Sequence, residues 1–299
     1  MSWPAAEIDV DEGLVRSLLA EQHPDLAGLP LEETGAGWDN ILWRLGDGLM
    51  VRLPRREAAA PLTRNEQRWL PFLAGRLPLP VPAPVRMGKP TDRFPWCWSV
   101  VPWLAGEPGD RTVLTDPEDA ARRLGLFLRA LHEAAPVDAP DNPWRGVALA
   151  ERQGTFDERV ASLGAEIDVE STRRLWDRAL SVAPWPGAPV WLHGDLHPAN
   201  TLVAGGTLAA VIDFGDLCRG DPATDLAGAW MLLPAPAIPV FSAAYGGLTA
   251  DLEHRALGWA ALFGLMLLEI GLRDRPTYET VGRTTLAKVI ARSDGARMP

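Results

Sequence analysis

Near residue 102 the sequence changes its hydrophobic period, and that change limits what the chain can fold into. Before it, "GAGWDNILWRLGDGLMVRLP" (35–54) holds two β-type runs, Asn40–Leu45 and Leu49–Leu53. Gly46-Asp47-Gly48 between them is a hairpin signal, because glycine supplies the positive φ that tight hairpins need. Gly35 and Gly37 are expected in the turn before the first of these strands. Val85–Gly88 and Trp96–Val101 read as two further strands, joined to the hairpin by a helix near Pro61–Leu70 and a stiff "LPLPVPAP" (77–84). An earlier helix is expected around Asp11–Glu21. "PWLAGEPGD" (102–110), rich in proline and glycine, marks the break.

After the break the period becomes helical. Leu124, Phe127, Leu128 and Leu131 recur at i, i+3, i+4 and i+7, with Thr115 or Asp116 as cap and Pro117 in the first turn. Helices follow near 150–165, 170–182, 222–233, 251–273 and 276–292, interrupted by a short β unit at 190–214. The expected division is 1–101, a hinge at 102–110, and 111–299. The fold class is α+β: a small β-rich part followed by a larger, mostly helical one.

Composition narrows the function. The net charge of −10 argues against nucleic acid, whose backbone must be met by basic surface, and admits a cationic partner. Two cysteines, Cys97 and Cys218, form no disulfide framework and fit a reducing compartment. "MSWPAAEIDVDEG" lacks the basic-then-apolar order of a signal peptide. The apolar run 256–268 is too short to cross a bilayer. A cytoplasmic protein with no membrane partner is expected. Of 29 basic residues only Lys89 and Lys288 are lysine, so work elsewhere done by lysine passes to arginine.

The chemistry concentrates in "WLHGDLHPANTLV" (191–203). His193 and His197 have the i, i+4 spacing of two metal ligands on a helix. Yet Gly194 separates them, and Pro198 drives His197 out of helical geometry, so a zinc site is disfavoured. Read as a loop between strands, 193–200 begins with Asp195 and ends with Asn200. Asp213 follows in "AAVIDFGD", after Gly205-Gly206 turns the chain back. A carboxylate with an amide oxygen suits Mg²⁺, which keeps waters and binds phosphates. A second carboxylate, Asp195, can accept a hydroxyl proton, completing the minimum for phosphoryl transfer. The competing use of Asp and Asn in loops is to bond their own backbone as turn formers.

"HGDLHPAN" followed by "IDFGD" resembles the signature of the aminoglycoside phosphotransferase family, whose members share a bilobal protein-kinase-like fold. The resemblance implies Asp195 as catalytic base and Asn200 and Asp213 as Mg²⁺ ligands. It implies that His193 orders the loop and that Asp225, in "GDPATDLA" with Asp221, anchors it. For Asp225 a simple helix N-terminal charge is the alternative. Family members carry a lysine on the third strand paired to a glutamate on the next helix. Here that position is Arg52, whose planar guanidinium also forks onto phosphate, and Glu66 is the expected partner. A capping box, Thr63-x-x-Glu66, is the other use of that glutamate. Gly35 and Gly37 are read as a phosphate-approaching turn. In "SVVPWLAG", Val101 and Trp103 would frame a nucleotide base, Pro102 supplying its carbonyl and Leu104 its N–H.

The expectation is a small-molecule kinase moving the γ-phosphate of ATP or GTP, with Mg²⁺, to a hydroxyl of a cationic, aminoglycoside-like antibiotic. Trp144, Trp230 and Trp259, with Asp157, Asp216, Glu269 and Asp274, are the acceptor-side residues considered. A macrolide, a choline-, homoserine- or sugar-like acceptor, and a nucleotide-binding pseudokinase are the alternatives.

Overall fold

We describe a computed structural model of the chain over residues 5–295; the first four residues of the N-terminal stretch lie outside it. The chain divides into two compact units. The first comprises residues up to Arg76, Pro80–Ala105 and Asp213–Leu217; the second comprises Leu77–Leu79, Gly106–Ile212 and the chain from Cys218 on.

In the first unit, α1 (Glu12–Gln22) starts where the Asp11 carboxylate accepts the Leu14 N–H at 2.7 Å. A five-stranded antiparallel sheet follows: β1 (Leu31–Ala36), β2 (Asn40–Leu45), β3 (Leu49–Pro54), β4 (Arg86–Gly88) and β5 (Trp98–Pro102), in the order β1-β2-β3-β5-β4. Alternate residues of β2, Ile41, Trp43 and Leu45, point into a core shared with Leu18, Val51 and Trp98. Helix α2 (Ala60–Ala74) lies between β3 and β4 in sequence, and its Gln67 Nε2 donates to the Trp98 carbonyl of β5 at 2.8 Å.

Three expectations change here. Gly35 lies inside β1 and not in the turn before Asn40–Leu45, with φ of 121° at a register shift between Glu33 and Gly35; only Gly37 is in that turn. Helix α2 runs through Pro71 because Leu70 and Leu73 on either side are buried, and packing outweighs the missing N–H. Thr63 lies within α2, one turn after its start at Ala60, so it cannot cap it and the capping box does not form.

The second unit contains β6 (Glu107–Pro108), α3 (Pro117–Leu131), α4 (Gln153–Ser162), α5 (Val169–Ser181), β7 (Val190–Leu192), β8 (Thr201–Ala204), β9 (Thr207–Val211), β10 (Cys218–Gly220), α6 (Ala223–Leu232), α7 (Ile238–Tyr245), α8 (Ala250–Asp274) and α9 (Pro276–Ser293). Asp116 caps α3, its carboxylate accepting the Asp119 N–H at 3.0 Å. Small antiparallel sheets, β10-β7 and β6-β8-β9, bracket the loop after β7. Helix α8 is long and apolar enough to cross a membrane by length and composition, but 78% of its most apolar window is buried within the protein. Its Leu257, Trp259 and Leu265 form core, and α6 and α9 pack on it. Helix α7 and the short strands β6 and β10 carry no signal in the sequence reading.

Candidate active site

The loop after β7 is held from below by one carboxylate. Asp225, in the first turn of α6 and fully buried, accepts the backbone N–H of His193 at 2.7 Å and of Gly194 at 2.8 Å. The His132 ring, at the end of α3, lies with Nε2 3.3 Å from the same carboxylate and Nδ1 2.9 Å from the Tyr245 hydroxyl. Burial, and then Asp225 and Asp221, hold the Tyr245 phenol well above its usual range. It therefore stays protonated and donates to Nδ1, and Nε2–H faces Asp225. Asp221 beside it receives the Arg255 Nε at 2.7 Å and the Ala223 N–H at 2.9 Å.

His193 is fully buried. Its Nε2 is 2.9 Å from the Ile212 carbonyl, which only accepts, so Nε2 carries the proton; Nδ1 receives the Asp195 N–H at 3.2 Å. Both ring nitrogens are therefore engaged. His197 has the extended backbone that Pro198 demands, φ −138° and ψ 169°, and its Nε2 is 3.5 Å from Asp195 Oδ2. Among the described residues no group of three His, Cys, Asp or Glu gathers as a metal site, and the two histidines do not form the zinc pair their spacing suggests.

Asp195 meets the side chains of three residues. Arg145 Nη2 donates to its Oδ1 at 3.0 Å, His197 faces Oδ2, and Asn200 Nδ2 lies 3.4 Å from Oδ2 while donating to the Asp195 carbonyl at 2.9 Å. Burial by itself raises this carboxyl, but His197 and Arg145 outweigh it and hold Asp195 well below the usual carboxylate range. Asn200 sits in a 3-10 turn (Pro198–Asn200), its carbonyl accepting the Ile212 N–H at 2.9 Å.

Arg145 gave no signal in sequence. It lies in the turn 142–146, where the Trp144 N–H bonds Asn142 Oδ1 at 2.8 Å and the Gly146 N–H bonds Thr224 Oγ1 at 3.1 Å. Gly146 has φ of 69°, and a Cβ there would come within 3.0 Å of the Arg219 carbonyl, so this turn requires glycine.

In the first unit, the Arg52 guanidinium on β3 donates to Glu66 Oε2 on α2 at 3.0 Å and to Asp213 Oδ1 at 3.4 Å. Arg52 and Glu66 are buried. Burial works against the charge on Arg52, yet Glu66 and Asp213 outweigh it and raise its pKa; at Glu66 burial prevails and the carboxyl is raised despite Arg52. Asp213 has φ of 64°, the one non-glycine residue with positive φ among those described, and its side chain is 56% exposed. Gly37 follows β1, its N–H donating to the Asn40 carbonyl at 2.7 Å and its carbonyl accepting from Arg55 at 3.2 Å. Val101 and Pro102 end β5 opposite Met50 and Leu49. The Trp103 N–H is taken by the Gly48 carbonyl at 2.8 Å and its ring lies 4.6 Å under Arg44; Leu104 follows outside the ladder.

The acceptor-side residues separate. Trp230 and Trp259 are fully buried core, whereas Trp144 is 58% exposed. Asp157 is engaged by Arg173 and Gln153, each at 2.7 Å, and Glu269 by Arg159 and Arg273.

The fold is shared with solved antibiotic kinases. A GDP complex of aminoglycoside 2'-phosphotransferase-IIIa has a TM-score of 0.69 at 22% identity, covering 95% of this chain and 99% of that one. The macrolide 2'-phosphotransferase MphH of Brachybacterium faecium has a TM-score of 0.60 at 24% identity, covering 91% and 97%. In sequence, the uncharacterized protein YcbJ of Bacillus subtilis (strain 168) is 27% identical over 237 residues, 71% of this chain and 72% of that protein. The fold and loop thus define a kinase-like α+β phosphotransferase. The model of the phosphotransferase enzyme family matches residues 30–261, and the chain belongs to that family.

Proposed function

We propose that the chain transfers the γ-phosphate of ATP or GTP, with Mg²⁺, to a hydroxyl of an antibiotic-like small molecule. The observation that carries this reading is the loop itself. Asp195 presents a partly exposed carboxylate from a loop whose other polar groups are bound by Asp225, His193 and Asn200. Relatives of the same fold support the substrate classes: one is a GDP and kanamycin complex and another a streptomycin–ATP ternary complex.

In this reading Asp195 takes the hydroxyl proton. Its position well below the usual carboxylate range keeps it ionised at neutral pH, as a proton acceptor must be. Arg52, held by Glu66, meets the donor's phosphates, and Gly35 and Gly37 bring backbone close to them. Val101 and Trp103 frame the base, which takes the Pro102 carbonyl and the Leu104 N–H. The Trp103 N–H is already spent on Gly48 and does not compete. His193 and Asp225 position the loop.

The residues present fit Mg²⁺ by donor type. Asp213 offers an exposed carboxylate, and Asn200 spends its side-chain N–H on Asp195, which leaves its side-chain Oδ1 as the donor to a cation. Bound there, the ion would neutralise phosphate charge as it develops. The test is nucleotide binding by calorimetry with and without Mg²⁺. Asp213→Ala should lose the Mg²⁺-dependent part of the affinity with little loss of stability; an unchanged affinity in Mg²⁺ would overturn the ligand assignment.

A further inference from the structure

Around Arg145, which meets Asp195, the second unit gathers three guanidinium groups, one of them without a paired carboxylate. Arg145 donates to Asp195 and lies 4.9 Å over the Phe263 ring. Arg159 is paired with Glu269, which is shared with Arg273. Arg152, in the 3-10 turn Leu149–Arg152, is only 7% exposed, and its buried Nε has no acceptor among the described residues. It rests 4.9 Å over the Trp144 ring. The three are neighbours: burial first, then Arg145 and Arg159, make it harder for Arg152 to hold its charge.

An arginine this buried with its Nε left unpaired is unfavourable, and an arriving anion relieves it. The neighbouring Glu151 eases the Arg152 charge but does not outweigh its burial, and its Oε1 accepts the Ala148 N–H instead of a hydrogen bond from Arg152. Glu269 already serves two arginines, and Asp157 on the same helix as Arg159 is taken by Arg173 and Gln153. The net charge of −10 describes the whole chain and does not show where single arginines gather.

We propose that this cluster is an anion subsite for the acceptor, which carries a carboxylate or phosphate-type oxyanion bound by the Arg152 fork, with Trp144 under its apolar part. Arg145 exchanges Asp195 for the same oxyanion when the acceptor binds. That exchange replaces one charge-assisted pair by another and frees Asp195 Oδ1 for the hydroxyl. The transfer then balances as an ordinary one. The hydroxyl oxygen bonds to the γ-phosphorus, the bond from that phosphorus to the β–γ bridging oxygen breaks, the proton passes to Asp195, and nucleoside diphosphate leaves. The inference rests on Asp195 as the base, and it replaces the expected polycation with an acceptor bearing an anionic group.

The test is calorimetry on the full chain without nucleotide, titrating gluconate, glucose 6-phosphate, glucose and kanamycin, followed by Mg·ADP. The anions should bind at least tenfold tighter than glucose and tighter than kanamycin. Arg152→Gln should lose at least tenfold in anion affinity, keep its Mg·ADP affinity, and unfold at the same or a higher temperature. Arg152→Lys, which keeps the charge and loses the fork, should fall between. If neither folds, Arg145→Gln carries the same expectation for the anions. Binding of none of the anions, preference for kanamycin, or unchanged anion affinity in Arg152→Gln overturns the inference. Loss of Mg·ADP affinity in Arg152→Gln assigns the cluster to the donor's phosphates and overturns it too. Asp195→Asn separates the two claims. Anion binding intact with full turnover in that variant removes the base and leaves the subsite; no anion binding with turnover lost removes the subsite and leaves the base.

Discussion

Asp225, at the start of α6, and Asp195, in the loop after β7, serve the same loop, and their partners differ in kind. Asp225 is fully buried and its carboxylate is taken by two backbone N–H groups of that loop. Asp195 is partly exposed and its nearest partner is a guanidinium from a turn 50 residues away in sequence. Backbone donors within one loop cannot be exchanged without unfolding it, whereas a side-chain cation can swap one oxyanion for another. The first arrangement builds a fixed platform and the second a site that changes partner.

The sharpest way to break this comparison is Asp225→Ala. Two buried N–H groups would lose their acceptor, at about 1–3 kcal/mol each. Stability should fall by about 2–6 kcal/mol, and turnover by on the order of a hundredfold, since displaced catalytic groups lose positioning. Denaturant unfolding and nucleoside diphosphate release measure the two; near-wild-type values in both would mean the loop stands without its clamp.

Arg145→Gln should behave in the opposite way. The pair it breaks is partly solvated, so stability should change by less than about 1 kcal/mol. Its effect belongs in the acceptor KM, which should rise while nucleotide affinity holds. A stability loss as large as that of Asp225→Ala would erase the distinction between platform and exchangeable partner.

The smallest effect on turnover belongs to Lys288, which has neither device. Its Nζ donates to the Leu233 carbonyl at 3.0 Å, and burial pulls its pKa down to about 8. The unfolded amine titrates near its ordinary 10.5. Between these values the unfolded chain holds more protons than the folded one, so this group makes stability rise with pH from about 8 to 10.5, and its burial cost is fully present below that window. Lys288→Met should be more stable than wild type at pH 7 and lose that rise. Thermal unfolding across pH 7–10.5 reads it, and a parallel shift of both curves would contradict the assignment.

The parts legible in sequence are those whose chemistry is local. Gly46-Asp47-Gly48 and its flanking alternation give β2 and β3 almost to the residue, and the proline after His197 removes the helical zinc reading. Strand β1 is hidden because Leu31-Glu32-Glu33-Thr34-Gly35 has no buried alternation; its burial pattern shows no buried residue at all. Pro71 misplaces the end of α2 because a breaker signal is read without knowing what packs beside it. Trp230 and Trp259 look like binding aromatics until their burial shows them as core. The arginine cluster has no signature because Arg145 and Asp195 meet only through the tertiary fold, and a net charge does not show where arginines gather.

The central claim, that Asp195 accepts the proton of a hydroxyl phosphorylated from a nucleoside triphosphate, is tested most directly by product formation. The full chain, wild type and Asp195→Asn, is incubated with Mg²⁺, ATP or GTP, and hydroxylated acceptors of cationic, neutral and anionic classes, and phosphorylated product is followed by mass spectrometry. The account predicts product from wild type and about a hundredfold or more less from Asp195→Asn, with nucleotide affinity unchanged. Asp195→Asn within about threefold of wild type, or no product from wild type with any class while nucleotide binds, would contradict it.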